Sequence, residues 1–586
     1  MIRKRGYKFF TCILFTTVFF INAYTATPSW QLVAGGDPIA QPINTEYGFA
    51  MLLDGRTLAA VSSNGTLLWN SGIPAGKPSD FIGLGDGGFL FTVSGNNKLS
   101  MFNPSGLCLW TQTAPDKIIT APIQGRDGRI FVQCQEKVAC YSVKGSLKWS
   151  VEVGTAAGFP LLQLEDGSIL HVQSKTIGGC STALRFSPFG EVLEEITFTG
   201  KVSNITQTAY GVLILFADGS AGCCSASSTG AITRWVVPSE LIGSGKSAKL
   251  VSSKDGKTAV IFSPSSNGKT SLVFMNAEDG GVLSHQSANV DGNTITYSTM
   301  EGNNFVICST KTAGCYSVAD GIIWEATIPS QKRWSYLLYT DNGYLVVFEK
   351  NSWVTSAYRM TQKIGYKPTK SSNTKNSNYI DFTNQAAKEN GLSSNTAALF
   401  GKTIPQTLFE QIQKELPKGD YGEQEALWIA ALELENKQIT NRLYMTNNQF
   451  MDIFKNNISY FQQVLLLCPM LESSTFNKTI ALIIQNETDL SMLVTAIQAA
   501  AKIGYDPDAT IITSIQQLLR RQSLISNGRI SGAICDAVYE ICRFMGKPTL
   551  FTQGRQILSH MLNQSIDAKA KAYAAITMEK IIALQM

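Results

Sequence analysis

Histidine is nearly missing. His171, His285 and His560 are the only three in 586 residues. They lie far apart, and none has a metal-ligand partner at short spacing, which argues against a zinc site or a histidine-based triad. Charge is sparse as well: Asp, Glu, Lys and Arg make up 16% of the chain, against about a quarter in ordinary globular proteins. The net charge of +5 is mild for this length, and no Lys/Arg stripe carries interleaved aromatics, so nucleic acid is not an expected partner. The chain holds no Gly-x-x-x-x-Gly-Lys-Ser/Thr loop, no His-Glu-x-x-His, no Cys-x-x-Cys and no EF-hand loop. No catalytic residue, metal ligand or cofactor is therefore assigned. What the chain does have is an apolar fraction of 44%, enough for a large buried core and incompatible with wholesale disorder.

Twelve cysteines are present. Cys12 lies in an apolar N-terminal stretch, and the other eleven are odd in number and scattered, unlike a disulfide scaffold. They read as small core residues. Arg3, Lys4, Arg5 and Lys8 precede an apolar run from Phe9 to Ile21, and small residues follow up to Ala26. This is the layout of a secretory signal peptide over residues 1–26. The run is short for a membrane-spanning helix, which needs about 20 residues. Cleavage after Ala23 or Ala26 places Ile21 or Tyr24 at the −3 position, so an uncleaved anchor, the only membrane contact expected, is the alternative. No later stretch is long and apolar enough to span a bilayer.

A repeat organises residues 27–360. Gly65 to Trp69, Gly106 to Trp110, Gly145 to Trp149, Gly230 to Trp235 and Gly321 to Trp324 share one phrase, a glycine followed shortly by tryptophan. Degenerate copies begin at Gly190 and Gly281, and Trp30 supplies a start in phase. The intervals run from 39 to 49 residues and define eight units. Inside them, short β-branched and aromatic runs such as Phe89–Val93, Arg129–Val132, Val212–Phe216 and Tyr344–Phe348 alternate with Asp-Gly pairs at 54, 86, 127, 166, 218 and 255. Asp-Gly supplies the positive φ of a tight turn, so those aspartates read as turn formers. About forty residues with four strands is one propeller blade. Eight blades close a ring without a long exposed edge, and the tryptophan fills the wedge between sheets, from either the inner strand or the outer one.

These units resemble the pyrroloquinoline-quinone-like (BamB-like) propeller repeat family. The nearest copy of its pattern runs from Asp127-Gly128 through Tyr141 to Gly145-Ser146-Leu147-Lys148-Trp149. The resemblance implies an eight-bladed all-β propeller. Its compact, secreted members imply a periplasmic adaptor that binds other proteins of the cell envelope. Quinone-dependent dehydrogenases that resemble the same family carry a vicinal cysteine disulfide over the cofactor, which makes Cys223 and Cys224 the candidate cofactor-binding pair. That pair falls within a strand, whose alternation sends the two sulfurs to opposite faces, so strand packing is the expectation. Blades of about forty residues leave little loop for an active site. This chain also departs from the family: no lipid-accepting cysteine follows the signal, and a helical region is appended.

Residues 361–380 are polar and aperiodic, and read as a linker. Beyond them, over 381–586, the period turns helical. Leu427, Ala430, Ala431 and Leu434 mark one face; Leu490, Leu493, Val494, Ile497 and Ala501 another; Ile534, Val538, Ile541 and Met545 a third. Lys502-Ile503-Gly504 before Pro507 matches Phe544-Met545-Gly546 before Pro548, a 42-residue offset suited to a HEAT-like helical repeat. The sum of these readings is an exported, non-catalytic scaffold that binds other envelope proteins through its propeller and its helical domain. A quinone-dependent dehydrogenase and a surface-exposed ligand-binding protein are the alternatives.

Overall fold

The computed structural model describes residues 28–360 and 462–585, apart from stretches of ten residues or fewer inside each. The signal segment, the polar linker and the Leu427–Leu434 face lie outside the described residues.

Eight four-stranded antiparallel sheets form the N-terminal unit. Seven follow chain order: blades 1 to 7 span 43–72, 77–113, 123–152, 162–197, 202–237, 249–288 and 295–327. The eighth joins both ends. Its first three strands come from 334–359, and its fourth is Trp30–Val33, which pairs with Val354–Ala357. The tryptophan-to-tryptophan units are thus out of step with the blades: each tryptophan ends a blade instead of beginning one, and the first lends its strand to the last sheet.

Burial across a blade explains the residue choice. The first strands of successive blades contact one another around the hub. A second strand such as Gly211–Phe216 is buried along its whole length because a neighbouring blade covers each face, which demands an unbroken apolar run. A fourth strand such as Leu67–Gly72 alternates between exposed and half-buried, as a rim strand must. Where Asp-Gly turns are described, Asp86, Asp218 and Asp255 each accept the N–H two residues on, and Gly87, Gly219 and Gly256 take positive φ.

The recurrent tryptophans sit on the fourth strands and latch blade to blade. Trp30 Nε1 donates to Ser63 O at 3.2 Å, Trp69 to Pro104 O at 3.0 Å, and Trp110 to Val143 O at 2.9 Å. Each indole also covers the glycine of the next blade's 3–4 turn. A Cβ on Gly106 would lie 2.5 Å from Trp69, and one on Gly145 would lie 2.7 Å from Trp110. Both glycines hold φ above +80°, so conformation and contact exclude a side chain together. The Trp324 indole is the exception: its buried Nε1 has no partner among the described residues. It faces the closing blade, whose third and fourth strands come from opposite ends of the ring, so no turn is there to offer a carbonyl.

The C-terminal unit is helical. Its described α-helices are α1 (Asn477–Asn486), α2 (Leu490–Ile503), α3 (Thr510–Leu518), α4 (Gln522–Ile525), α5 (Gly528–Met545), α6 (Pro548–Asn563) and α7 (Ala568–Ala583). α2 packs beside α5, and α5 beside α6 and α7. Ile534, Val538, Ile541 and Met545 are all buried, whereas Leu490 is exposed and the buried face of α2 centres on Leu493, Ala496, Ile497 and Ala500. Leu490 opens the first turn, beyond the reach of the neighbouring helix. The matched glycines are left-handed C-caps: Gly504 (φ +64°) ends α2 and Gly546 (φ +58°) ends α5.

Candidate interaction surface

A helix leaves its last carbonyls without partners inside the helix. In α2 and α5 the propeller supplies them. Lys144, in the 3–4 turn of blade 3, donates its ammonium to Lys502 O at the end of α2. Asn103, in the same turn of blade 2, donates Nδ2 to Arg543 O at the end of α5, at 2.8 Å. The two matched helix ends therefore dock on two successive blades, in reverse order. Asn103 is held in place by its own turn, because its Oδ1 accepts from Ser105 N and Leu107 N.

Apolar and ionic contacts reinforce the joint. Val143 belongs to the helical core, together with Tyr505, Phe544 and Met545, and Leu109 packs against it. Gly128 (φ +89°) lets the Tyr505 ring approach: a Cβ there would lie 2.8 Å from it. Ser142 Oγ donates to Glu472 at 2.6 Å, and Lys148, with a side chain only 5% exposed, lies 3.9 Å from the same carboxylate. Burial lowers the Lys144 ammonium from its ordinary value, opposed by Glu472 and Glu540. These corner residues were not singled out in the sequence. Their one signal was lysine at 144 and 148, flanking the glycine of the best repeat copy.

The antiparallel blades place the 1–2 and 3–4 turns on one face of the ring and the 2–3 turns and blade-to-blade links on the other. The helices occupy the first face at blades 2 and 3. On the second, between blades 6 and 7, lies a polar cleft of about 330 Å³ lined by Lys269, Asn289, Asp291, Thr294, Thr310 and Lys311 among others.

Cys223 and Cys224 lie in the third strand of blade 5, opposite Leu213 and Val212. Both are buried and neither is in a disulfide. Cys224 packs in the layer shared with blade 4, so strand alternation turns Cys223 toward blade 6. The structure does not bring the two sulfurs together. Trp334, which opens blade 8, packs against the layer between blades 7 and 8. Among the described residues no cluster of three His, Cys, Asp or Glu could hold a metal. Nor is any described helix long and apolar enough to cross a membrane.

Residues 54–173, from blade 1 into blade 4, match a PQQ-type family model described as outer membrane protein assembly factor BamB. Over that span the blades are BamB-like. Among solved structures, the chain is similar to BamB from Moraxella catarrhalis, with 14% identity, 58% of this chain and 99% of that one covered, and a TM-score of 0.41. It is similar to the C-terminal WD40 domain of Sif2, with 13% identity, 57% and 98% covered, and a TM-score of 0.44. It is also similar to virginiamycin B lyase from Staphylococcus aureus, with 11% identity, 48% and 95% covered, and a TM-score of 0.35. A comparison with curated protein sequences found no match.

Proposed function

We propose that this chain is an exported, non-catalytic scaffold that binds other proteins of the cell envelope through its propeller. The observation that carries the reading is the match of residues 54–173 to the family model of an outer membrane protein assembly factor. Two features support it. The eight-bladed ring has a second face that the described helices do not contact. The basic and apolar N-terminal segment 1–26 has the layout of an export signal.

The test has two arms. Fractionation of cells should recover a mature chain starting between Ala23 and Pro28 outside the cytoplasm. Photo-crosslinking residues placed at Thr310 on the open face, and at Lys144 under the helices, should then be compared in intact cells. The reading expects adducts with envelope proteins at Thr310 and adducts within the chain at Lys144. A cytoplasmic full-length chain, or an open face without protein adducts, overturns it.

A further inference from the structure

The layer between blades 3 and 4 contains one residue that does not match its surroundings. His171 lies in the second strand of blade 4, Ile169–Ile177, and is 0% exposed. It pairs with Leu184, and its neighbour two residues back, Ile169, packs with Phe131, Val138, Cys140, Trp149 and Phe186. By strand alternation the ring therefore faces blade 3. Neither Nδ1 nor Nε2 has a partner among the described residues. Buried charged side chains of the propeller have partners: Arg185 has Glu194 and Ser168, Lys148 has Glu472, and Asp86 has Gly88 N and Gln124.

Few groups could compensate a charge on this ring. From blade 3 the Cys140 thiol faces the same layer, and Gln133, two residues past Phe131, is neutral. From blade 4 the Lys175–Glu195 ion pair, at 2.9 Å, sits at the exposed rim, while Arg185 and Glu194 occupy the opposite face. In blade 3 the matching register position, two residues past the isoleucine that pairs with the third-strand aromatic, is held by Val132. Histidine thus stands where blade 3 takes an aliphatic side chain and blade 2, two residues past Phe89, takes Phe91.

We propose that His171 is an acid-sensitive lock on the seam between blades 3 and 4: protonating its ring opens that layer first when the protein is acidified. A cation with no hydrogen-bond partner in an apolar layer is strongly disfavoured. Burial pushes the ring down from 6.5 to about 4. The unfolded chain then binds more protons than the native one between those values, so stability rises with pH across the window. The contribution is intact above about 6.5 and is lost as pH falls toward 4. Blade 3 also carries the helical unit through Ser142, Val143 and Lys144, so the seam and the joint share a sheet.

The experiment compares urea unfolding of the full chain, His171→Val and His171→Gln between pH 7 and pH 4. The wild-type unfolding constant should rise about 100-fold more than that of either variant, the factor that a shift from 6.5 to about 4 gives between pH 7 and pH 4. Hydrogen exchange at pH 4.5 should rise first in residues 123–152 and 162–186 of the wild type. If both variants fail to fold, the native protein still decides: with only three histidines in the chain, the ring signals can be followed by NMR through the titration. A His171 ring that stays neutral down to pH 5 supports the lock. A ring that titrates near 6.5, or variants that lose stability in parallel with the wild type, overturns it.

Discussion

The 3–4 corners of blades 3 and 6 are built on one plan and meet different neighbours. Both turn at glycine and lead into a fourth strand on the rim. In blade 3, Val143 is buried in the helical core and Lys144 meets the end of α2. In blade 6 the residues level with them are Ala277, which is buried, and Glu278, which is exposed and meets no described helix. Register explains much of the contrast. Tyr141 pairs with Leu147 as Met275 pairs with Val282, which puts Ser142-Val143-Lys144 level with Asn276-Ala277-Glu278. A helix C-terminus carries partial negative charge and favours a cation. Blade 3 offers lysine there; blade 6 offers glutamate. The motif therefore builds a corner, and the residues it leaves free decide what the corner accepts.

The largest way to break this comparison is to open the ring on which both corners stand. Deleting Trp30–Val33 leaves blade 8 with three strands and uncovers Gly65. The expected outcome is loss of cooperative melting by circular dichroism, whereas a chain ending at Met360 should still melt as one unit. Trp110→Ala comes next. It empties the layer between blades 2 and 3 and removes the bond to Val143 O, at an expected cost of about 3–5 kcal/mol in urea unfolding.

Lys144→Glu gives blade 3 the charge of blade 6 at the end of α2. The joint should weaken by about 2 kcal/mol, the scale of breaking a charge-assisted hydrogen bond. The readout is faster proteolysis between propeller and helices, with the propeller's own melting unchanged. Glu278→Lys in blade 6 sharpens the comparison at the other corner. Stability should move by no more than about 0.5 kcal/mol, and no helix should dock there, because Val143, Gly128 and Asn103 have no counterparts acting together. New protection of blade 6 in hydrogen exchange would mean that charge alone selects the corner.

Much of the propeller was legible in the chain. Glycine and tryptophan recur in phase because each pair serves one latch, and a latch repeated around a ring leaves a period. The helix ends at Gly504 and Gly546 were legible for a similar reason: a left-handed cap nearly requires glycine. Cys223 and Cys224 could be placed on opposite faces from alternation alone. The joint was not legible. Asn103, Ser142, Lys144 and Lys148 are ordinary turn and rim residues in sequence, and their partners lie hundreds of positions away.

The sequence by itself determined the blade size, the number of blades, the latch and the change from strand to helix, because each rests on contacts repeated at short range or at a fixed period. Only the tertiary structure decided which strand carries the tryptophan, that the first strand closes the eighth sheet, which two corners receive the described helices, and that His171 is sealed without a partner among the described residues. Those outcomes depend on residues brought together from far apart in the chain, where no spacing records the contact. Burial and the sign of a neighbouring charge, both properties of the folded surface, select among corners that the repeat makes nearly alike.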